Sequence, residues 1–150
     1  MIEHPIARIA PLQFPLVNRF YKEAGHKGRA RGDDIVFAMR EQGKIVAAVR
    51  LCPVKDDDHG WLLLRGLWVL PGRQRCGLGT QLMHYCISQT ANRKLWCYPF
   101  THLEAFYAQF GFIRIDASSM PDFILGPYEA YTRAGKQIIA MTRQPSPPSQ

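Results

Sequence analysis

The densest chemical signal lies in Pro71-Gly72-Arg73-Gln74-Arg75-Cys76-Gly77-Leu78-Gly79-Thr80, which follows the apolar stretch Trp61–Leu70 and runs straight into a helical pattern. The first N–H groups of a helix have no partner within it. The macrodipole adds partial positive charge at the same end. Gly77 and Gly79 remove the side chains that would hold a phosphate off the backbone, and Arg73 and Arg75 add mobile positive charge. The expected occupant is a diphosphate lying across the Arg75–Thr80 amides. An ordinary tight strand–helix turn would have the same glycines. The segment is not a P-loop, because no Gly-Lys-Ser/Thr follows, and it lacks the full GxGxxG spacing of a dinucleotide fingerprint.

Other reactive residues are dispersed. Cys52, Cys76, Cys86 and Cys97 form no CxxC pair and no Cys/His cluster with zinc spacing, so they are read as reduced thiols of a cytoplasmic protein. Cys76 stands at a helix start, where a thiol pKa can fall, and is read as a bystander near the phosphates rather than a nucleophile. Cys97 is read as core. Asp56-Asp57-Asp58 reads as a solvated hairpin turn, and no metal site is expected.

These residues need a scaffold. A chain of 150 residues is one domain by length, assigned to 1–143, with a Pro/Ser-rich frayed tail at 144–150. Ile6–Ala10 reads as a strand and Leu12–Ala24 as a helix ended by Gly25. A basic, Gly-rich loop leads to strands at Ile35–Arg40 and Lys44–Val54, joined by the tight turn Glu41-Gln42-Gly43. After strand Trp61–Leu70, a helix runs to about Ala91 with Leu78, Leu82 and Cys86 inward and Thr80, His84 and Ser88 outward. Short strands follow at Leu95–Tyr98 and Phe112–Ile115. Between them Thr101-His102-Leu103-Glu104 has the form of a capping box before a short helix. Ser118–Gly135 is ambiguous, read as a loop and a loose helix, and Gln137–Thr142 is a last strand.

The net charge of +7 suggests an anionic partner. The basic residues are scattered rather than gathered in a tail, which argues against nucleic acid. No apolar run is long enough to cross a membrane, and Met1-Ile2-Glu3-His4-Pro5 does not read as a signal peptide.

Leu67-Trp68-Val69-Leu70-Pro71 followed by Gln74-Arg75-Cys76-Gly77-Leu78-Gly79 resembles the central motif of the GNAT superfamily of N-acetyltransferases. Phe106-Tyr107-Ala108-Gln109-Phe110-Gly111-Phe112 resembles the family's Phe-Tyr-x-x-x-Gly-Phe motif at the expected distance, and the element order fits from residue 6 to 142. The resemblance implies an α/β (α+β) fold, with a mostly antiparallel twisted sheet of about 6–7 strands, splayed in the middle and flanked by about four helices. Acetyl-CoA would be the cosubstrate and a primary amine of a small molecule or peptide the acceptor, with no metal. Leu67, Trp68 and Val69 would face pantetheine and the thioester. Arg73, Arg75, Cys76, Gly77, Leu78, Gly79 and Thr80 would hold the pyrophosphate, and Gly66 would mark a bulge.

Tyr107 matches the family tyrosine that protonates the leaving thiolate, with a core aromatic as the alternative. The family's strand glutamate and its asparagine near Phe100 are absent. The base candidates are then His102, Glu104, Glu23, Asp33 and Asp34, or a water chain. Asp33 and Asp34, with Trp96, Tyr98 and Phe100, are candidates for binding the acceptor. Arg29 and Arg31 are candidates for an adenosine phosphate or an acidic substrate. The missing carboxylates keep a second reading open, an acyl-CoA-binding sensor without turnover. Nucleic-acid binding is a third, resting on charge alone. The sequence leaves the oligomeric state open, a homodimer included.

Overall fold

Two prolines set where the first helix begins. Pro11 opens a 3-10 turn, Pro11–Gln13, and Pro15 occupies the first turn of helix α1, Phe14–Glu23, where its missing N–H costs nothing. The strand before it is β1, Ile6–Arg8. The chain continues through β2 (Ile35–Glu41), β3 (Lys44–Pro53), β4 (Leu62–Val69), α2 (Leu78–Gln89), β5 (Leu95–Cys97), α3 (Glu104–Ala108), β6 (Ile113–Ile115), α4 (Asp122–Arg133) and β7 (Ala140–Arg143). This computed structural model describes residues 5–54 and 59–146. The Asp56-Asp57-Asp58 turn, residues 1–4 and the tail from 147 onward lie outside the described residues.

Among the described residues the seven strands form one open sheet in the order β1-β2-β3-β4-β5-β7-β6. The pairings β1–β2, β2–β3, β5–β7 and β6–β7 are antiparallel. With four α-helices this is the mixed, mostly antiparallel α/β class the motifs imply. The β2–β3 hairpin turns on Gln42 and Gly43, both left-handed at φ 52° and 79°, the combination that matches strand twist in a two-residue turn.

Contacts divide the chain into two compact units. Unit 1 is Met1–Pro53 with Leu64–Thr90, and unit 2 is Val54–Leu63 with Ala91–Gln150. The core of unit 1 packs Phe14, Val17, Phe20 and Tyr21 of α1 against Val36, Ala38 and Ala48. Unit 2 gathers Trp96, Met120, Ile124 and Ala140 with Trp61 and Phe123.

One expectation is corrected and an ambiguous one is resolved. The capping box does not form: Thr101–Leu103 is a 3-10 turn, and no side chain caps it or α3. Thr101 Oγ1 instead donates to the carbonyl of Gln137 at 3.1 Å, a partner far away in sequence. The ambiguous 118–135 segment contains a full helix, α4, despite Gly126 and an interior Pro127, because Ile124 and its neighbours bury an apolar face in unit 2. The residues after β7 are tied down as far as Ser146, whose N–H donates to Ala91 at 2.6 Å.

Candidate active site

The turn between β4 and α2 is wound by three left-handed residues, Gly72 (φ 91°), Arg75 (φ 67°) and Gly77 (φ 79°). A non-glycine residue held there is strained, and such strain concentrates at ligand sites. Left-handed residues alternating with right-handed ones are the backbone of an anion nest, and Arg75 and Gly77 supply two left-handed positions two residues apart. Gly77 is the N-cap of α2, and no side chain caps that helix start. A side chain at 77 would begin in open space, whereas the Cβ position of Gly79 lies 3.7 Å from Val69 Cγ2, where helix meets strand. Arg75, Cys76 and Gly77 are exposed, and Leu78 is buried as the first residue of the α2 core stripe. Arg73 is paired with Glu41 at the end of β2, so its charge is partly engaged. Gln74 Nε2 ties the turn to Val69 O at 3.2 Å.

Within β4, the strand leading into this turn, Gly66 has a φ of 64°, in the left-handed region. A Cβ there would meet Tyr21 Oη at 2.8 Å and Arg50 Nε at 2.9 Å, so only glycine lets β4 pass. Tyr21 Oη donates to Gly66 O at 2.8 Å. Leu67, Trp68 and Val69 follow, each half-buried. Trp68 Nε1 donates to Ala24 O at 2.9 Å, which fixes its ring against unit 1.

The candidates in unit 2 are distributed as follows. Tyr107 is 7% exposed and packs edge-on to Phe106 and Phe112 at 5.2 and 5.8 Å. His102 is exposed and stacked on Phe100 at 6.0 Å, with Phe100 half exposed. Trp96 is 3% exposed inside the unit 2 core, so it has no face to offer an acceptor. Tyr98 is half-buried with its hydroxyl donating to Ile124 O at 2.7 Å. Glu104 faces Arg114 at 3.6 Å. In unit 1, Glu23 and Asp33 are exposed. Asp34 Oδ2 accepts from Arg31 N at 3.1 Å, and its carboxylate lies near Cys52. Burial, then that carboxylate, pushes the Cys52 thiol up to about 12, and burial does the same to Cys86, leaving both inert as nucleophiles. Among the described residues no group of His, Cys, Asp or Glu could hold a metal, and no helix is long and apolar enough to cross a membrane.

Residues 32–114, more than half of the chain, match the family described as the acetyltransferase (GNAT) domain. The chain belongs to the GNAT acetyltransferase family. Its class of activity is acyl transfer, and its fold is shared with solved GNAT structures. It superposes on the ribosomal-protein-S18-alanine N-acetyltransferase of Escherichia coli with a TM-score of 0.69, at 19% identity over 99% of this chain and 97% of that one. Against N-acetylglutamate synthase of Neisseria gonorrhoeae, solved with coenzyme A and N-acetyl-glutamate, the TM-score is 0.70 at 16% identity; the match covers 98% of this chain but 36% of the synthase. An acyl-CoA N-acyltransferase of Pseudomonas aeruginosa gives 0.66 at 16% identity over 94% of this chain and 99% of that one. No curated protein matches the sequence.

This GNAT chain also gathers a cluster that sequence reasoning passed over. Arg50, 8% exposed in the middle of β3, lies 5.4 Å from the Tyr21 ring centre and donates from Nη1 to Arg29 O at 2.6 Å. Its Nε is buried without a hydrogen-bond partner. The His26 ring lies between Tyr21 and Trp68, at 4.6 and 4.9 Å, and its Nε2 is likewise buried and unpartnered. Burial, then the Arg50 charge, lowers the His26 pKa below its ordinary value, which keeps the imidazole neutral. Burial raises the Tyr21 phenol, opposed in part by Arg50. One signal was available: an arginine inside the apolar run Ile45-Val46-Ala47-Ala48-Val49-Arg50-Leu51 is a buried charge in waiting.

Proposed function

We propose that this chain transfers an acetyl group from acetyl-CoA to a primary amine, by direct attack within a ternary complex. The reading is carried by one observation, the uncapped start of α2 approached through three left-handed residues. Such an end combines oriented N–H groups with helix-dipole charge, which suits a pyrophosphate. Arg75, Cys76, Gly77, Leu78, Gly79 and Thr80 would hold it, largely through backbone. Arg73, engaged by Glu41, would act as a secondary charge. Leu67, Trp68 and Val69, following the left-handed Gly66, would run beside the pantetheine arm.

Acetyl-CoA supplies the acyl group already activated as a thioester. Tyr107 would give its phenolic proton to the leaving thiolate. The acceptor must lose a proton to attack, and His102 is the exposed imidazole assigned that task. Phe100, stacked on His102, would line the acceptor side, with Asp33 and Asp34 available to an ammonium group. The acceptor is a small-molecule or peptide amine, in a cytoplasmic protein that uses no metal, membrane or nucleic acid.

The test is release of free thiol from acetyl-CoA against a panel of primary amines, with calorimetry of acetyl-CoA binding alongside. The expected result is heat on binding and thiol release with at least one amine. Absence of binding heat at any acetyl-CoA concentration would overturn the reading.

A further inference from the structure

α1 and the loop after it border an open groove of about 770 Å³, lined in part by Asn18, Arg19, Lys22, His26, Lys27 and Arg29. That volume is in the range that holds a drug-sized molecule or a short peptide segment. Four of these residues are permanent cations, all of them exposed, and no Asp or Glu lines the groove.

The groove is built rather than draped. Asn18 holds the loop in both directions, from Nδ2 to Ala30 O at 3.1 Å and from Ala30 N to Oδ1 at 2.6 Å. His26 N donates to Tyr21 O at 2.8 Å, and Arg50 Nη1 takes Arg29 O at 2.6 Å. Behind the floor stands the buried guanidinium of Arg50. Its neighbours are a carbonyl, the Tyr21 ring and His26; no carboxylate is ion-paired to it among the described residues, and Asp34, which acts on the same Tyr21 and Cys52, answers it only from a distance. A buried charge left uncompensated is costly, and an anion placed close by relieves the cost. Gly28 is the thin point of that floor, since a Cβ there would lie 2.5 Å from Arg50 Nη2 and 2.6 Å from His26 Nε2.

We propose that this groove is the subsite for carboxylate groups carried by the acceptor, so that the enzyme prefers an amine flanked by acidic groups. The proposal rests on the acyltransferase reading for the word acceptor, but the groove can be tested without turnover. Arg19, Lys22, Lys27 and Arg29 meet the carboxylates at the rim, and Arg50 adds its field from below. A short acidic peptide and a free acidic amino acid share this chemistry.

The experiment measures fluorescence anisotropy of a C-terminally labelled Ala-Glu-Glu-Gly peptide against its Ala-Gln-Gln-Gly counterpart, on the full chain saturated with CoA. Calorimetry with free glutamate and glutamine forms the small-molecule arm. The acidic probe of at least one arm should bind about tenfold or more tightly than its amide. Preference in the peptide arm assigns a peptide acceptor, and preference in the amino-acid arm alone assigns a small one. The double variant R19E/K27E, confined to exposed side chains, should abolish the preference and leave CoA affinity unchanged. Equal binding of acid and amide in both arms overturns the proposal. So does probe binding that is present on the CoA-free chain but lost on the CoA-saturated one, or tighter binding of a DNA oligonucleotide of equal charge. Loss of thiol release with the acidic preference intact would sink the acyltransferase reading alone.

Discussion

Gly77 and Gly66 are both left-handed, at φ 79° and 64°, yet they matter for different reasons. A side chain at 77 would start in open space, so its absence is felt by a ligand rather than by the fold. Gly77→Glu sets a carboxylate where phosphates are expected, at a backbone cost of about 1 kcal/mol. CoA binding by calorimetry should weaken by at least about a hundredfold while circular dichroism is unchanged; unaltered affinity in a folded variant removes the phosphate assignment. Gly66→Ala drives a methyl to within 2.8 Å of Tyr21 Oη. Left-handed strain and overpacking together should cost about 2–4 kcal/mol, read by urea unfolding. Tyr107→Phe keeps a ring that is packed against Phe106 and Phe112 and removes only the hydroxyl. If that hydroxyl protonates the thiolate, kcat falls by about a hundredfold with CoA affinity retained; wild-type turnover would leave Tyr107 a core aromatic.

α4 is the element on which local and tertiary signals disagree. Gly126 and Pro127 sit inside it, and both lower intrinsic helicity. The helix persists because Ile124 is buried and Phe123, Leu125 and Tyr128 pack on the same cluster. At Gly126 a Cβ would meet nothing within 4 Å. Pro127 disfavours helical backbone for a preceding residue with a Cβ, so Gly126→Ala should gain only part of the usual ~0.5–1 kcal/mol, a Tm rise of about 2 °C or less by differential scanning calorimetry. The same element explains why 118–135 was ambiguous in sequence, since periodicity interrupted by Gly-Pro reads as loop until its apolar partners are known. The β4–turn–α2 unit was legible because its signals are local: an apolar strand, glycines at left-handed positions and a periodic helix. The capping box misled because the Thr101 hydroxyl is claimed by Gln137, a contact no window around residue 101 contains. Arg50 was hidden inside an apolar strand, and its neighbours Tyr21, His26 and Gly66 come from three other segments. The strand–turn–helix element was thus readable, whereas the Arg50 cluster required the fold.

Across the whole molecule the excess of 19 basic over 12 acidic residues is unevenly answered. Glu41 serves Arg73, Glu104 faces Arg114, and the groove over α1 is lined by no acid at all. A cluster of like charges on a held surface survives folding only as a modest self-repulsion, and it lengthens the reach over which an anionic partner is drawn in. That reach is set by ionic strength, with a screening length of about 10 Å at 0.1 M salt and about 3 Å at 1 M. Raising sodium chloride from about 0.05 M to about 0.5 M should increase KM for an acidic acceptor severalfold, with kcat at saturation nearly constant if the rim serves capture alone. A neutral acceptor amine measured in parallel should show little change. The CoA term is separated by holding acetyl-CoA saturating at each salt concentration. A KM for the acidic acceptor that is flat in salt would mean that the basic rim takes no part in capture, and that the charge of this enzyme serves only its cofactor.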